Sequence, residues 1–272
     1  ARCRAPPGGH GVPVYKTEGV VLRRQVIGEA DRSITLLTRE YGKLRAVARG
    51  TRRITSRLGG LVEPFTHGRF LLARGRSLDV VAQVEVVRAF PGIRGDLVRS
   101  GYAAYVVELV DRFLPERDRH EDVFDLVLCA LVGLEQADEE AAEMATLWFG
   151  LRLASDLGYR PEVETCVECG RNLPRQAAGP IAAWGFGPGA GGALCPACAA
   201  GHTEAIPVAP GVLAMCGYLL RTSPEQAGRL RVPPAQRRDL ARLVQTHLEY
   251  HLDAKLRAPA VIGRLREAEP RS

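Results

Sequence analysis

Between Tyr15 and Phe90 apolar and polar residues alternate with a period of two, and short Gly-containing turns cut the alternation into segments. This predicts five strands, at Lys16–Arg24, Arg32–Arg39, Lys43–Arg49, Phe65–Ala73 and Leu78–Arg88. Tyr41-Gly42 and Arg74-Gly75-Arg76 have the composition of hairpin turns. In the last segment Leu78, Val80, Ala82, Val84 and Val86 are expected on one face, and Asp79, Gln83 and Glu85 on the other. Five strands in about 75 residues are enough for a small closed barrel, which leaves no edge exposed.

Pro91-Gly92 ends the alternation, and the spacing then becomes helical. Leu97, Tyr102, Tyr105, Val106, Leu109 and Phe113 mark a first apolar stripe, stopped by Pro115. Val123, Val127, Leu128, Leu131 and Leu134 mark a second. Met144, Leu147, Trp148, Leu151 and Ala154 mark a third, with Gly158 placed for a left-handed cap and Pro161 beyond it. Helical spacing returns over Val212–Leu220 and Leu240–Leu256. The expected fold is therefore α+β and multidomain. A disordered tail (1–13) leads into a β-barrel (14–91); a helical bundle (92–162 and 206–258) is interrupted by a four-cysteine insert (163–205), and a C-terminal tail (259–272) follows.

Charge sharpens this division. Residues 1–90 hold 17 Lys or Arg against 7 Asp or Glu, whereas residues 91–272 hold 20 against 24. A cationic barrel joined to a mildly acidic remainder is the electrostatic footprint of a segment that meets phosphates. No run of eighteen apolar residues is present, so no membrane helix is expected, and the first thirteen residues lack the apolar centre of a signal peptide. The expected compartment is the cytoplasm, where thiols stay reduced.

Cys166-Val-Glu-Cys169 and Cys195-Pro-Ala-Cys198 are two CxxC pairs separated by 25 residues. Each pair can turn two sulfurs toward one ion, and together they complete a closed tetrahedral shell for one structural Zn²⁺. Redox pairs or disulfides compete with this reading, but two pairs in a reducing compartment favour metal. Cys3 is assigned to the tail, and Cys129 and Cys216 to the core. Gly187, Gly189 and Gly192 spell a dinucleotide-like GxGxxG, yet Pro188 interrupts it and the loop leads into a cysteine knuckle rather than a helix. His202-Thr-Glu204 stands on the wrong side of its CxxC for a zinc deaminase, and four thiolates leave no position for water.

Lys43, Arg45, Arg49, Arg52, Arg53 and Arg57 fall within fifteen residues that contain no acid. Alternation directs Leu44, Ala46 and Ala48 inward and Lys43, Arg45 and Arg49 outward. An outward stripe of cations on a barrel suits a groove that tracks a nucleic-acid backbone, and Arg23, Arg24, Arg32, Arg69 and Arg74 are candidates to extend it. A solvated strand face is the plainer reading, although adjacent like charges destabilise an unbound strand. Arg237, Arg238 and Arg242 offer an alternative patch on the last long helix. A nuclease or deaminase would need clustered carboxylates or an open zinc, and the acidic residues crowd instead into 108–143. A zinc-ribbon RNA-binding or ribosome-associated factor remains a third possibility.

The order of parts, with EADRSITLLTREYGKLRAVARGTRRITSRLGGLVEPF in the barrel and LRLASDLGYRPEVETCVECG before the second CxxC, resembles the bacterial recombination mediator family RecO over about residues 14–257. The specific pieces are Gly42-Lys43…Ala48-Arg49-Gly50…Arg52-Arg53…Ser56-Arg57 and Leu157-Gly158-Tyr159-x-Pro161…Cys166-x-x-Cys169-Gly170. The resemblance implies an oligonucleotide/oligosaccharide-binding (OB) fold, a helical domain and a zinc-finger insert. It also implies a non-enzymatic role in DNA repair: binding single- and double-stranded DNA, annealing complementary strands, and helping RecA replace single-strand-binding protein. The implied partners are RecR, single-strand-binding protein and, indirectly, RecA. The implied location is the cytoplasm, in association with the nucleoid.

Overall fold

The computed structural model describes residues 13–52, 58–174 and 183–268. Two compact units are present, one running to Ala89 and including Leu114–Glu121, the other comprising Phe90–Phe113 and everything from Asp122 onward. Nearly all of the expected tail 1–13, together with Cys3, Arg53 and Arg57, lies outside the described residues.

In the first unit β1 (Val14–Ile27), β2 (Asp31–Thr38), β3 (Gly42–Ala48), β4 (His67–Ala73) and β5 (Asp79–Arg88) close a barrel in the order β1-β2-β3-β5-β4. All neighbours run antiparallel except β3 and β5, whose short parallel pairing sets Ala46 opposite Asp79 and Val47 opposite Val80. This is the five-stranded OB barrel. Its interior is filled by Val21, Ile34, Leu36, Leu44, Ala46, Phe70, Leu72, Val81 and Val84, with Val62 from a single 3₁₀ turn, Gly59–Val62, between β3 and β4. Burying each of the larger side chains contributes roughly 1.5–3 kcal/mol, which is what closes so short a chain around them.

Two expectations for this unit need correction. In β5 the face changes: Leu71 of β4 stands opposite Gln83 and Leu72 opposite Val81, so Ala82 is the extra residue of a bulge. Asp79 and Val81 therefore point inward before the bulge and Val84 after it, and Ala82 is exposed. The inward Asp79 is satisfied by the Tyr15 hydroxyl (2.5 Å), Arg117 Nη2 (3.1 Å) and the Gly75 N–H (3.3 Å). Second, Lys43 is only 8% exposed rather than outward and free. Residues Leu114–Glu121 form a strap along β3, in which the Arg117 N–H donates to the Lys43 carbonyl at 2.6 Å. The backbone of Asp118 comes so close that a Cβ on Gly42 would lie 1.9 Å from its carbonyl oxygen, and Gly42 has a φ of +64°. Only glycine fits there.

The second unit contains α1 (Pro91–Arg94), α2 (Leu97–Phe113), α3 (Glu121–Leu134) and α4 (Glu139–Asp156). A small lobe follows, made of β6 (Trp184–Gly187), β7 (Gly192–Leu194), α5 (Pro196–Ala199) and β8 (Ile206–Val208). Then come α6 (Pro210–Leu219), α7 (Pro224–Arg229), α8 (Pro234–Leu252) and α9 (Ala258–Ala268). Helix α4 packs on α2, α7 and α8, and α9 lies on α2. The Asp138 carboxylate caps α4 by accepting the Ala141 N–H at 2.7 Å. Its far end closes as anticipated: Gly158 is left-handed (φ +88°), and the Tyr159 and Gly158 N–H groups donate to the Ala154 and Ser155 carbonyls.

The helical stripes hold except at one residue, and two other expectations for this unit change. Leu97, at the first turn of α2, is 68% exposed. Cys129 is exposed on α3 instead of sitting in the core, whereas Cys216 is fully buried as expected. Residues 259–268, expected as tail, belong to α9, and the N–H groups at its start (Arg257 and Ala258) are accepted by Glu108 of α2 at 2.8–3.1 Å. Among the described residues no helix is long and apolar enough to cross a membrane.

Candidate nucleic-acid interface and metal centre

The two CxxC pairs meet on the lobe. In the first, the Gly170 N–H turns back to the Cys166 carbonyl at 2.9 Å, and Gly170 takes the positive φ (+70°) that lets the knuckle close. The second pair begins where β7 ends: Cys195 stands just before α5, and its carbonyl accepts the Ala199 N–H at 2.9 Å. The Val167 N–H donates to the Ala193 carbonyl (2.9 Å) and the Ala193 N–H to the Glu162 carbonyl (2.7 Å), which lock the first knuckle onto β7. That contact needs Gly192, where a Cβ would lie 2.0 Å from the Glu162 oxygen.

The four Sγ atoms all lie within 4.8 Å of one another, and Cys169 and Cys195 are 3.7 Å apart. A tetrahedral ion with bonds of about 2.3 Å to sulfur requires sulfur–sulfur edges of about 3.8 Å. The residues therefore fit a four-thiolate site and can hold one metal ion. Burial raises the Cys166 thiol, but N–H donors of Cys195, Cys169 and Glu168 outweigh it and bring the group down to about 6. Cys195 is lowered as well, first by the Cys198 backbone, whereas Cys198 is pushed up to about 12, first by its side-chain hydrogen bond to Cys195. Four sulfurs this close cannot all ionise unless a cation stands among them.

The expected cations separate into groups. Cross-strand register sets Arg23 of β1 opposite Thr35 of β2, and Thr35 opposite Arg45 of β3. Both arginines are exposed, so they form one row on the outer barrel face. Arg49 and Arg52, also exposed, continue from the end of β3 into the following loop. Arg24 and Arg32 project from the inward-facing rows at the open end of the barrel, where Glu63 engages Arg24 closely and Arg32 at 3.7 Å. Arg69 lies between Glu18 and Glu85 in register and contacts Glu85 at 3.3 Å. Arg74 lies over the Tyr15 ring, 5.6 Å from its centroid. The alternative patch on α8 is partly committed elsewhere: Arg237 pairs with Glu140 and Glu143 at 2.9 and 2.8 Å, and Arg242 donates to the Pro207 carbonyl at 3.0 Å.

The alternation of the sequence did not reveal how the basic loop is held. The Asp31 carboxylate accepts the Gly50 N–H at 2.8 Å, the Arg52 N–H donates to the Ala30 carbonyl at 3.0 Å, and Arg52 Nη1 donates to the Gly28 carbonyl at 3.2 Å. The acid-then-basic order Asp31-Arg32 at the start of a predicted strand was the one available signal.

Comparison with known proteins agrees with this architecture. A family model described as recombination protein O N terminal matches residues 13–90, and one described as recombination protein O C terminal matches residues 94–260. The DNA repair protein RecO of Pelotomaculum thermopropionicum is 40% identical over 255 residues, covering 94% of this chain and 96% of the relative. Proteins of the same name from Heliobacterium modesticaldum and a Roseiflexus species are each 37% identical, over 94% and 93% of this chain and 93% and 87% of theirs.

Proposed function

The chain belongs to the RecO family of DNA repair proteins, and from that premise we propose that it is a recombination mediator acting by binding rather than by turnover. On this reading it holds single- and double-stranded DNA on the barrel, anneals complementary strands, and helps RecA replace single-strand-binding protein, with RecR as a partner. Its place is the cytoplasm, on nucleoid DNA. One observation carries the reading: Arg23 and Arg45 stand in one exposed row across β1–β2–β3, and Arg49 and Arg52 prolong it. Like charges gathered on one face are unfavourable in the free protein and become favourable against a phosphate backbone. Arg53 and Arg57 follow in the same chain segment, and Arg24 and Arg32 border the row at the barrel mouth. Arg69, Arg74 and Lys43 have neighbours that suit them to supporting roles at most.

The four cysteines hold one structural zinc ion. Their donor set supports this, since four thiolates fill a tetrahedral shell and leave no open position for a substrate. The zinc supplies a cross-link for the lobe, and the DNA chemistry stays on the barrel.

Binding of a fluorescent single-stranded oligonucleotide across a salt series tests the interface. With about six phosphates neutralised, the log–log slope is expected near −4. A slope near zero overturns the reading.

A further inference from the structure

We propose that Asp31 is a positioning residue for DNA binding: its carboxylate hooks the loop after β3 onto the β1–β2 turn and so holds Arg49 and Arg52 in line with Arg23 and Arg45. The inference rests on the proposed DNA interface and assigns a role within it. An acid beside a row of arginines would ordinarily weaken phosphate binding, since it repels the backbone and offsets a cation. The geometry gives this one a different task. Asp31 is the first residue of β2, and the register places it next to Arg49, one step beyond the Arg32–Ala48 pair. Its Oδ1 turns to the Gly50 N–H at 2.8 Å rather than outward.

Gly50 is the pivot of the loop. Its φ of +66° swings the chain away from the barrel wall, and glycine reaches that region at no steric cost. The N–H exposed by the turn needs an acceptor, and Asp31 supplies a charged one. Two further bonds, from the Arg52 N–H to the Ala30 carbonyl and from Arg52 Nη1 to the Gly28 carbonyl, fasten the other side of the loop to the same turn. Thr51 Oγ1 closes it by donating to the Ala48 carbonyl at 3.2 Å. Gly50 and Arg52 are thus both tied to residues 28–31. Without the hook, mutual repulsion among Arg45, Arg49 and Arg52 would spread the loop away from the row.

The sign of the effect makes this testable. Asp31→Val supplies a residue that favours the strand but removes the acceptor, and Asp31→Asn removes the charge while keeping an oxygen that can accept from Gly50. If Asp31 acts only as an anion, both variants bind single-stranded DNA more tightly. If it positions the loop, Asp31→Val loses about two phosphate contacts. Each contact is worth about 0.7 in the salt slope and roughly fourfold in affinity near 0.15 M salt, so binding weakens roughly fifteenfold and the slope flattens by about 1.4. Asp31→Asn restores wild-type affinity or exceeds it. Tighter binding by both variants, or equal loss in both, overturns the proposal. Should Asp31→Val fail to fold, Asp31→Ala takes its place in the same comparison. Charge reversal of Arg49 and Arg52 is run alongside. If that leaves binding unchanged, the DNA interface itself is misplaced and the hook falls with it; if it abolishes binding while Asp31→Val has no effect, the interface stands and the hook alone is wrong.

Discussion

Helix α9 buries Ala258 and Ile262 and is also held to the bundle by charge, and the strength of that second hold can be worked out. Glu143 on α4 is 7% exposed and receives Arg266 Nη2 of α9 at 2.7 Å and Arg237 Nε of α8 at 2.8 Å. Removing one member of a buried pair leaves the other charge without compensation and typically costs about 3–5 kcal/mol. Here each guanidinium keeps a second acid, Glu139 for Arg266 and Glu140 for Arg237, so the lower end applies. Glu143→Ala is therefore expected to cost about 3 kcal/mol. In a unit of this size that lowers the melting midpoint by roughly 6–12 °C. The control is Glu85→Ala, which breaks the Arg69–Glu85 pair on the barrel, where both side chains are about two-thirds exposed. That pair is worth at most about 1 kcal/mol, and its loss shifts the midpoint far less. Calorimetry at pH 7 in low and high salt compares them. Equal shifts, or a Glu143→Ala shift that salt abolishes, would show that burial does not set the strength of this network.

Two further outcomes follow from the lobe and its contact with α8. Cys166→Ser is expected to take bound zinc from one per chain to none and to expose the lobe to proteolysis, because metal binding supplies about 10–16 kcal/mol in isolated zinc modules; affinity for DNA should stay within about twofold, and a folded variant without DNA binding would bring the lobe into the interface. His247, fully buried against Phe186 with Nε2 on the Tyr159 carbonyl, is pushed down to about 4 by burial. Between about pH 4 and 6.5 the unfolded chain therefore carries a proton that the folded one lacks, so stability is full above 6.5 and falls by about 3 kcal/mol as the pH drops through that window. His247→Gln, whose amide can still donate to Tyr159, should flatten that part of the pH–stability curve; an unchanged curve would rule His247 out as its source.

What was legible in the sequence was whatever depends on local period. Alternation located the five barrel strands, and the paired CxxC spacing located a site whose sulfurs do converge. What escaped depends on contacts distant in sequence or on one-residue shifts. The bulge at Ala82 reverses a face that strict alternation cannot reverse, and it turns Asp79 from solvent to the interior. Lys43 looked outward by parity, but a strap some 70 residues away lies on its backbone. Helix α9 contains two glycine- or proline-bearing turns and takes its cap from Glu108, about 150 residues earlier, so no adjacent residue announced it. The cations illustrate the same limit. Composition counted them, but only the register separates the row of Arg23 and Arg45 from Arg69, held between two glutamates.

On the proposed reading, DNA is handled on the row formed by Arg23, Arg45, Arg49 and Arg52. Annealing of complementary oligonucleotides by the wild-type protein and by the triple variant Arg45→Glu, Arg49→Glu, Arg52→Glu tests it most directly, with zinc content and melting midpoint measured on both. The expected variant is folded, keeps its zinc and has lost annealing. A folded variant that anneals at the wild-type rate would contradict that reading.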